Sequence, residues 1–159
     1  IVLEPNRHAT PSGFAYLTPL DLPDVIYTIH PYQPMRYTHQ GLGKKAGEWK
    51  EVVYPSAGCD RAFLEQTLAA AREFQLKYGA RIWVGEFSAA SWTDGGDRYL
   101  KDLTDLFEEY GWDWSYHSFR ENVIWSLEHE GEENSHLLPA KGETPRMKVM
   151  KAAWAKNAE

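Results

Sequence analysis

The stretch Arg81-Ile-Trp-Val-Gly-Glu-Phe-Ser88 decides the fold. Gly79 stops the segment before it, and the run itself is apolar and β-branched up to a carboxylate. It reads as a buried strand. Alternation sets Ile82, Val84 and Glu86 on one face and Trp83, Gly85 and Phe87 on the other. A carboxylate at the end of an apolar strand is costly to bury unless something solvates or uses it. In parallel α/β folds the active sites gather at the C-terminal ends of strands. Glu86 is therefore either bonded to a neighbouring backbone group or Arg, or it is a functional carboxylate.

Outward from this strand, three more are predicted: Ile1 to Leu3, Val25 to Ile29 and Trp112 to Phe119. Helical spacing appears over Asp60 to Tyr78, closed by Gly79, and over Asp97 to Tyr110, closed by Gly111. A last helix starts at Pro145 and runs to about Asn157. Thr10 to Pro23 holds at most a helical turn. Lys44 to Gly58 and Glu128 to Glu143 read as long loops. No repeat or low-complexity tract is evident.

Strands alternating with helices imply a parallel sheet in an α/β fold. There are four such units, and a whole (β/α)8 barrel takes about 250 residues and at least about 200. The chain has 159. The expectation is a half-barrel over residues 1–159, four parallel strands with flanking helices, completed by a homodimer or by a missing N-terminal half. Four parallel strands with an apolar inner face leave that face and two edges to be covered.

Composition narrows the function. Hydrophobic residues make up 43% and charged residues 25%, which suits a folded chain rather than a disordered one. The aromatic share of 14%, with 7 Trp and 9 Tyr, fits either a Trp-rich core or a surface that stacks on sugar rings. The net charge of -6 and the lack of a Lys/Arg run argue against nucleic acid. No apolar run approaches the roughly 18 residues that span a bilayer, so no membrane partner is expected. Cys59 has no second cysteine to pair with. The chain opens Ile1-Val2-Leu3 without Met or a signal-peptide pattern, so a processed, trimmed or truncated start is expected.

Two further groups sit at strand ends. Thr28, His30 and Tyr32 share one face if the chain stays extended through Pro31, and a His with a Tyr there can bond a carboxylate and a sugar hydroxyl. His39 lies in the run Tyr37-Thr-His-Gln-Gly41 that follows. Trp112, Trp114, Tyr116 and His117 occupy the last strand, with Arg120, Glu121 and Trp125 beyond it. Trp92 and Trp125 join His30, Tyr32 and His39 as candidate sugar-contacting side chains.

Together these motifs resemble glycoside hydrolase family 5. Val25-Ile-Tyr-Thr-Ile-His-Pro-Tyr-Gln-Pro34, Tyr37-Thr-His-Gln-Gly41, Ile82-Trp-Val-Gly-Glu-Phe-Ser88 and Trp112-Asp-Trp-Ser-Tyr-His-Ser-Phe-Arg-Glu121 are similar to its sixth strand, the loop after it, and its seventh and eighth strands. The resemblance implies the C-terminal half of a barrel and a retaining hydrolase of cellulase or endoglucanase type. It implies β-linked oligo- or polysaccharide as substrate, and by the family's habit an extracellular setting. Glu86 matches the nucleophile, and His30 and Tyr32 match the His-x-Tyr pair that orients it. No cofactor or metal is expected, since carboxyl groups alone carry that chemistry.

The family's acid/base Glu follows an Asn at the end of the fourth strand, and this chain has no Asn-Glu dipeptide. Asn122 and Val123 stand where relatives often carry Trp and a small residue. Three functions follow as alternatives: a hydrolase completed by another half, a β-glucan-binding half-barrel that does not cleave, and a truncated gene product. If two copies close one barrel, the partner's last strand replaces the missing fourth. Alternation then sets His117, Phe119 and Glu121 on one face and makes Glu121 a substitute acid from the partner chain. Arg120 beside it opposes that role, because a close cation favours the ionised form.

Overall fold

The computed structural model describes residues 1–43, 47–133 and 136–158. Parts of both predicted long loops, residues 44–46 and 134–135, lie outside these. Four parallel strands, β1 (Val2–Leu3), β2 (Ile26–Ile29), β3 (Arg81–Val84) and β4 (Asp113–Trp114), form one sheet in the order β1-β2-β3-β4. Ile29 stands opposite Val84, and Val84 opposite Trp114, so the C-terminal ends of β2, β3 and β4 lie at one level.

The helices explain the sheet's buried face. In α3 (Arg61–Tyr78), Asp60 accepts from the Phe63 N–H and Gly79 closes the other end with a positive φ. A cap of this kind contributes about 1 kcal/mol. Leu64, Leu68, Ala71 and Phe74 form its buried stripe. Phe74 meets Tyr27 of β2 edge to face, with centroids 4.9 Å apart, and Phe14 completes the cluster. In α4 (Gly96–Tyr110), Phe107 packs on Phe87 in the same way. Helix α5 (Pro145–Ala155) is capped by Thr144, whose hydroxyl accepts from the Met147 N–H, and packs on α4. No helix among the described residues is long and apolar enough to cross a membrane.

The other face of the sheet differs from the expected apolar surface. Register pairs Ile26 with Arg81, and Thr28 with Trp83. Trp83 donates through its indole N–H to the Ser115 hydroxyl at 3.0 Å. Arg81 and Asp113 make an exposed ion pair at 3.4 Å. This face is therefore mixed, with apolar Ile26 and Trp83 among polar neighbours.

Two predicted strands are shorter than their sequences suggest. The third stops at Val84, and the alternation resets after it. Phe87 joins Ile82 and Val84 in the core, leaving Glu86 on the accessible side. The fourth stops at Trp114. Backbone bonds from Ser115 N–H to Val84 and from His117 N–H to Phe87 still hold the next residues beside the third strand. Alternation does not reach Glu121: Arg120 takes a φ of 53°, and Phe119 is exposed. The sequence reading missed the one-turn segments α1 (Asn6–Ala9) and α2 (Met35–Thr38) and the antiparallel pair β5 (His129–Glu130) and β6 (Leu138–Pro139).

Candidate active site

The ends of β2 and β3 meet at Glu86, and the segment after β4 joins them through Tyr32. Glu86 lies two residues past β3, and its side chain is 38% exposed. The Tyr32 hydroxyl, three residues past β2, donates to Oε2 of Glu86 at 3.0 Å. Nδ1 of His30 lies 3.7 Å from Oε1. Gly85 makes this approach possible. A Cβ there would fall 2.7 Å from Oγ1 of Thr28 and 2.8 Å from Nε2 of His30.

Tyr32 is the hub. Burial, followed by the charge of Glu86, pushes its phenol far above the usual tyrosine value. It stays a neutral donor at any working pH. Its oxygen also lies 3.0 Å from Nδ1 of His117, whose Nε2 lies 2.9 Å from Oε2 of Glu121. Glu121, expected as an acid offered across a pair of half-barrels, is thus held by His117 of its own chain. Arg120 makes two bonds to Glu128, at 2.8 and 2.9 Å.

One wall is aromatic. Trp125 lies with ring centroids 5.9 Å from Tyr32, 5.0 Å from His39 and 6.2 Å from His117. Ser91 N–H donates to the Ile124 carbonyl, and Ala90 N–H to that of Thr38, which ties the loop after β3 to both neighbours. The Thr38 hydroxyl gives its proton to the Tyr32 carbonyl at 2.6 Å and stands 2.8 Å from Nδ1 of His39. With that hydroxyl proton committed, Nδ1 of His39 is the donor and Nε2 carries the lone pair. Burial lowers the His39 pKa, which keeps the ring neutral. Trp92 packs instead on the turn after His39, donating to the Gln40 carbonyl at 3.2 Å.

The structure thus brings together Glu86, His30, Tyr32, His39 and Trp125 of the residues singled out in the sequence. Site reasoning missed His117 as a partner of Tyr32. Its signal was present in the polar run after the last strand, but the pairing of residues 32 and 117 is a tertiary fact.

This arrangement stands in a known frame. The chain superposes on Cel5A of Thermotoga maritima, solved with cellobiose, with a TM-score of 0.76 at 18% identity, covering 94% of this chain and 47% of that one. The chain has the fold of half a (β/α)8 barrel. The cellulose synthase subunit Z of Clostridioides difficile matches similarly, with a TM-score of 0.74 at 14% identity over 96% of this chain and 48% of that one. Among curated proteins, Cellodextrinase A of Ruminococcus flavefaciens is 24% identical over 96 residues, 55% of this chain and 27% of the relative. No family model matches the chain. The chain spans about half the length of these solved structures and about a quarter of the curated relative. The resemblance to glycoside hydrolase family 5 holds at the level of the fold.

Proposed function

We propose that the chain carries the nucleophile side of a retaining β-glycoside hydrolase site, of cellulase or endoglucanase kind, acting on β-1,4-linked polysaccharide. The observation that carries this reading is Glu86 at a strand end, held by the Tyr32 hydroxyl at 3.0 Å and flanked by His30. An ionised Glu86 attacks the anomeric carbon, the bond to the leaving oxygen breaks, and water later releases the sugar. The relatives' names support a β-linked sugar: one is a cellodextrinase, and Cel5A was solved with cellobiose and with mannotriose.

The proton donor, about 5–5.5 Å from the nucleophile in retaining enzymes, belongs to the half of the barrel that this chain does not span. A second copy is proposed to close the barrel; it brings no Asn-Glu acid of its own, so the paired site has a nucleophile and a poor acid. Strands β1 and β4 are the sheet's two edges, and helices α3 and α4 pack on the Tyr27 and Phe87 side. A two-fold pair covers both edges and the Thr28–Trp83 face at once.

Leaving-group chemistry tests the catalytic reading. A site with a nucleophile and a poor acid cleaves dinitrophenyl β-cellobioside, whose leaving group needs no proton, far faster than an alkyl β-cellobioside. Glu86→Gln should abolish both. Turnover in Glu86→Gln equal to the unsubstituted protein contradicts the assignment.

A second reading, sugar binding without cleavage, draws on the Tyr32, His39 and Trp125 rings beside Glu86. Calorimetry with cello-oligosaccharides on a protein that shows no turnover distinguishes it.

A further inference from the structure

Three contacts in a row need three protons. Tyr32 bridges Oε2 of Glu86 and Nδ1 of His117, and Nε2 of His117 meets Oε2 of Glu121. Ionised carboxylates only accept, so the outer contacts take their protons from Tyr32 and from Nε2. Tyr32 has a single hydroxyl proton, and Glu86 receives it. The middle contact then takes its proton from Nδ1. All three are filled only when His117 is an imidazolium.

A neutral His117 leaves one contact unfilled, and exposure decides which. The Glu121 side chain is 65% exposed, against 38% for Glu86 and 25% for His117. Glu121 regains water easily, and exposed pairs of this kind contribute little. The Tyr32–Glu86 bond is more enclosed and is made to a charge, which makes it the stronger of the two. With the Tyr32 proton on Glu86, the choice lies between the middle contact and the one to Glu121; a bare Nδ1 would set its lone pair against those of the enclosed Tyr32 oxygen 3.0 Å away, so the contact that lapses is the one to Glu121, and Nδ1 keeps its proton.

We propose that His117 is a positioning residue of the Glu86 site: it carries a proton on Nδ1 in both its charged and neutral forms, and so directs the Tyr32 hydroxyl proton onto Glu86. Glu121 grips Nε2 while His117 is charged. The groups facing His117 are consistent with this. Tyr32 comes from the loop after β2, with Glu86 and His30 behind it. Glu121 comes from its own segment. The Trp125 ring flanks it, and the His39 ring packs on Tyr32 and Trp125. Arg120 is engaged by Glu128. Donation into the Tyr32 oxygen polarises its O–H and tightens the bond to Glu86. That benefit to attack rests on Glu86 being the nucleophile; the proton placement does not.

The test reads protons rather than turnover. The full chain is labelled with ¹⁵N-histidine, and long-range ¹H–¹⁵N spectra are followed through a pH titration, with His117→Asn identifying the signal. Above its midpoint His117 should show Nδ1 as the proton-bearing nitrogen and Nε2 as the bare one, the reverse of the form imidazole prefers in water. Tyr32→Phe should return it to the Nε2–H form. Glu121→Gln, at an exposed position, should leave the tautomer unchanged. An Nε2–H form in the unsubstituted protein or in Glu121→Gln, or an unaltered tautomer in Tyr32→Phe, overturns the proposal. None of these results bears on whether Glu86 attacks sugar, so the two readings fail separately.

Discussion

The Tyr32 hydroxyl rests 3.0 Å from Oε2 of Glu86, across 54 residues of sequence. The bond follows from strand register. Ile29 pairs with Val84, and each side chain lies two or three residues past that pair, at the open end of adjacent parallel strands. A neutral phenol donating to a carboxylate fixes its direction, as an attacking carboxylate requires.

Tyr32→Phe removes that donor and keeps the ring against His39 and Trp125. A hydrogen bond to a charged group contributes about 1.5–3 kcal/mol, so kcat/KM on an activated aryl β-cellobioside should fall roughly 10- to 100-fold. The melting temperature should move little. An unchanged kcat/KM would show that the bond plays no part in attack.

Gly85→Ala probes the close approach of β2 and β3. The added methyl meets Thr28 and His30 at 2.7 and 2.8 Å. Overpacking of this kind costs about 1–3 kcal/mol, and the His30 ring must leave Glu86 to relieve it. Urea unfolding should report the loss of stability, and a moved ¹⁵N-histidine resonance of His30 at fixed pH the displaced ring. Unfolding at the same urea midpoint contradicts the geometry.

His39 gives the fold a pH dependence of known sign. Burial depresses its folded pKa below 6.5. As pH falls past 6.5 the unfolded chain takes up the proton first, and stability drops until the lower folded value is passed. Unfolding measured from about pH 7.5 to about pH 5.5 should lose part of this slope in His39→Gln. A slope identical in both proteins rules out His39 as its source.

A pair of half-barrels should appear by light scattering at twice the 18.3 kDa of the chain. Trp83→Asp, on the face the pair would cover, should shift the mass toward the single chain. A mass of 18.3 kDa at micromolar concentration assigns the completing half to a different segment.

Much of this was legible in the sequence because it is local. Helices α3 and α4 begin within a residue of the predicted starts and stop at Tyr78 and Tyr110 as predicted, since Asp60 at a start and Gly79 and Gly111 at the ends act on their own neighbourhoods. The order of the four strands follows from strands alternating with helices. Glu86 is legible because an apolar strand ends on a charge. What escaped depends on where strands stop. Alternation carried through residue 88 puts Glu86 with Val84, whereas the chain turns after Val84 and sends Phe87 into the core. The same extrapolation placed Glu121 by alternation beyond β4. The left-handed Arg120 breaks the strand there and returns Glu121 to its own His117.

The central claim, that Glu86 attacks the sugar, is tested most directly by trapping the covalent intermediate. Dinitrophenyl 2-deoxy-2-fluoro-β-cellobioside suits this chain, because its leaving group departs without an acid and the fluorine slows release. The full chain is incubated with the reagent, digested, and its peptides weighed. The account predicts one fluorocellobiosyl group, on the peptide carrying Glu86 and at that residue on fragmentation, with none in Glu86→Gln. A label on another carboxylate, or an unlabelled chain, contradicts it.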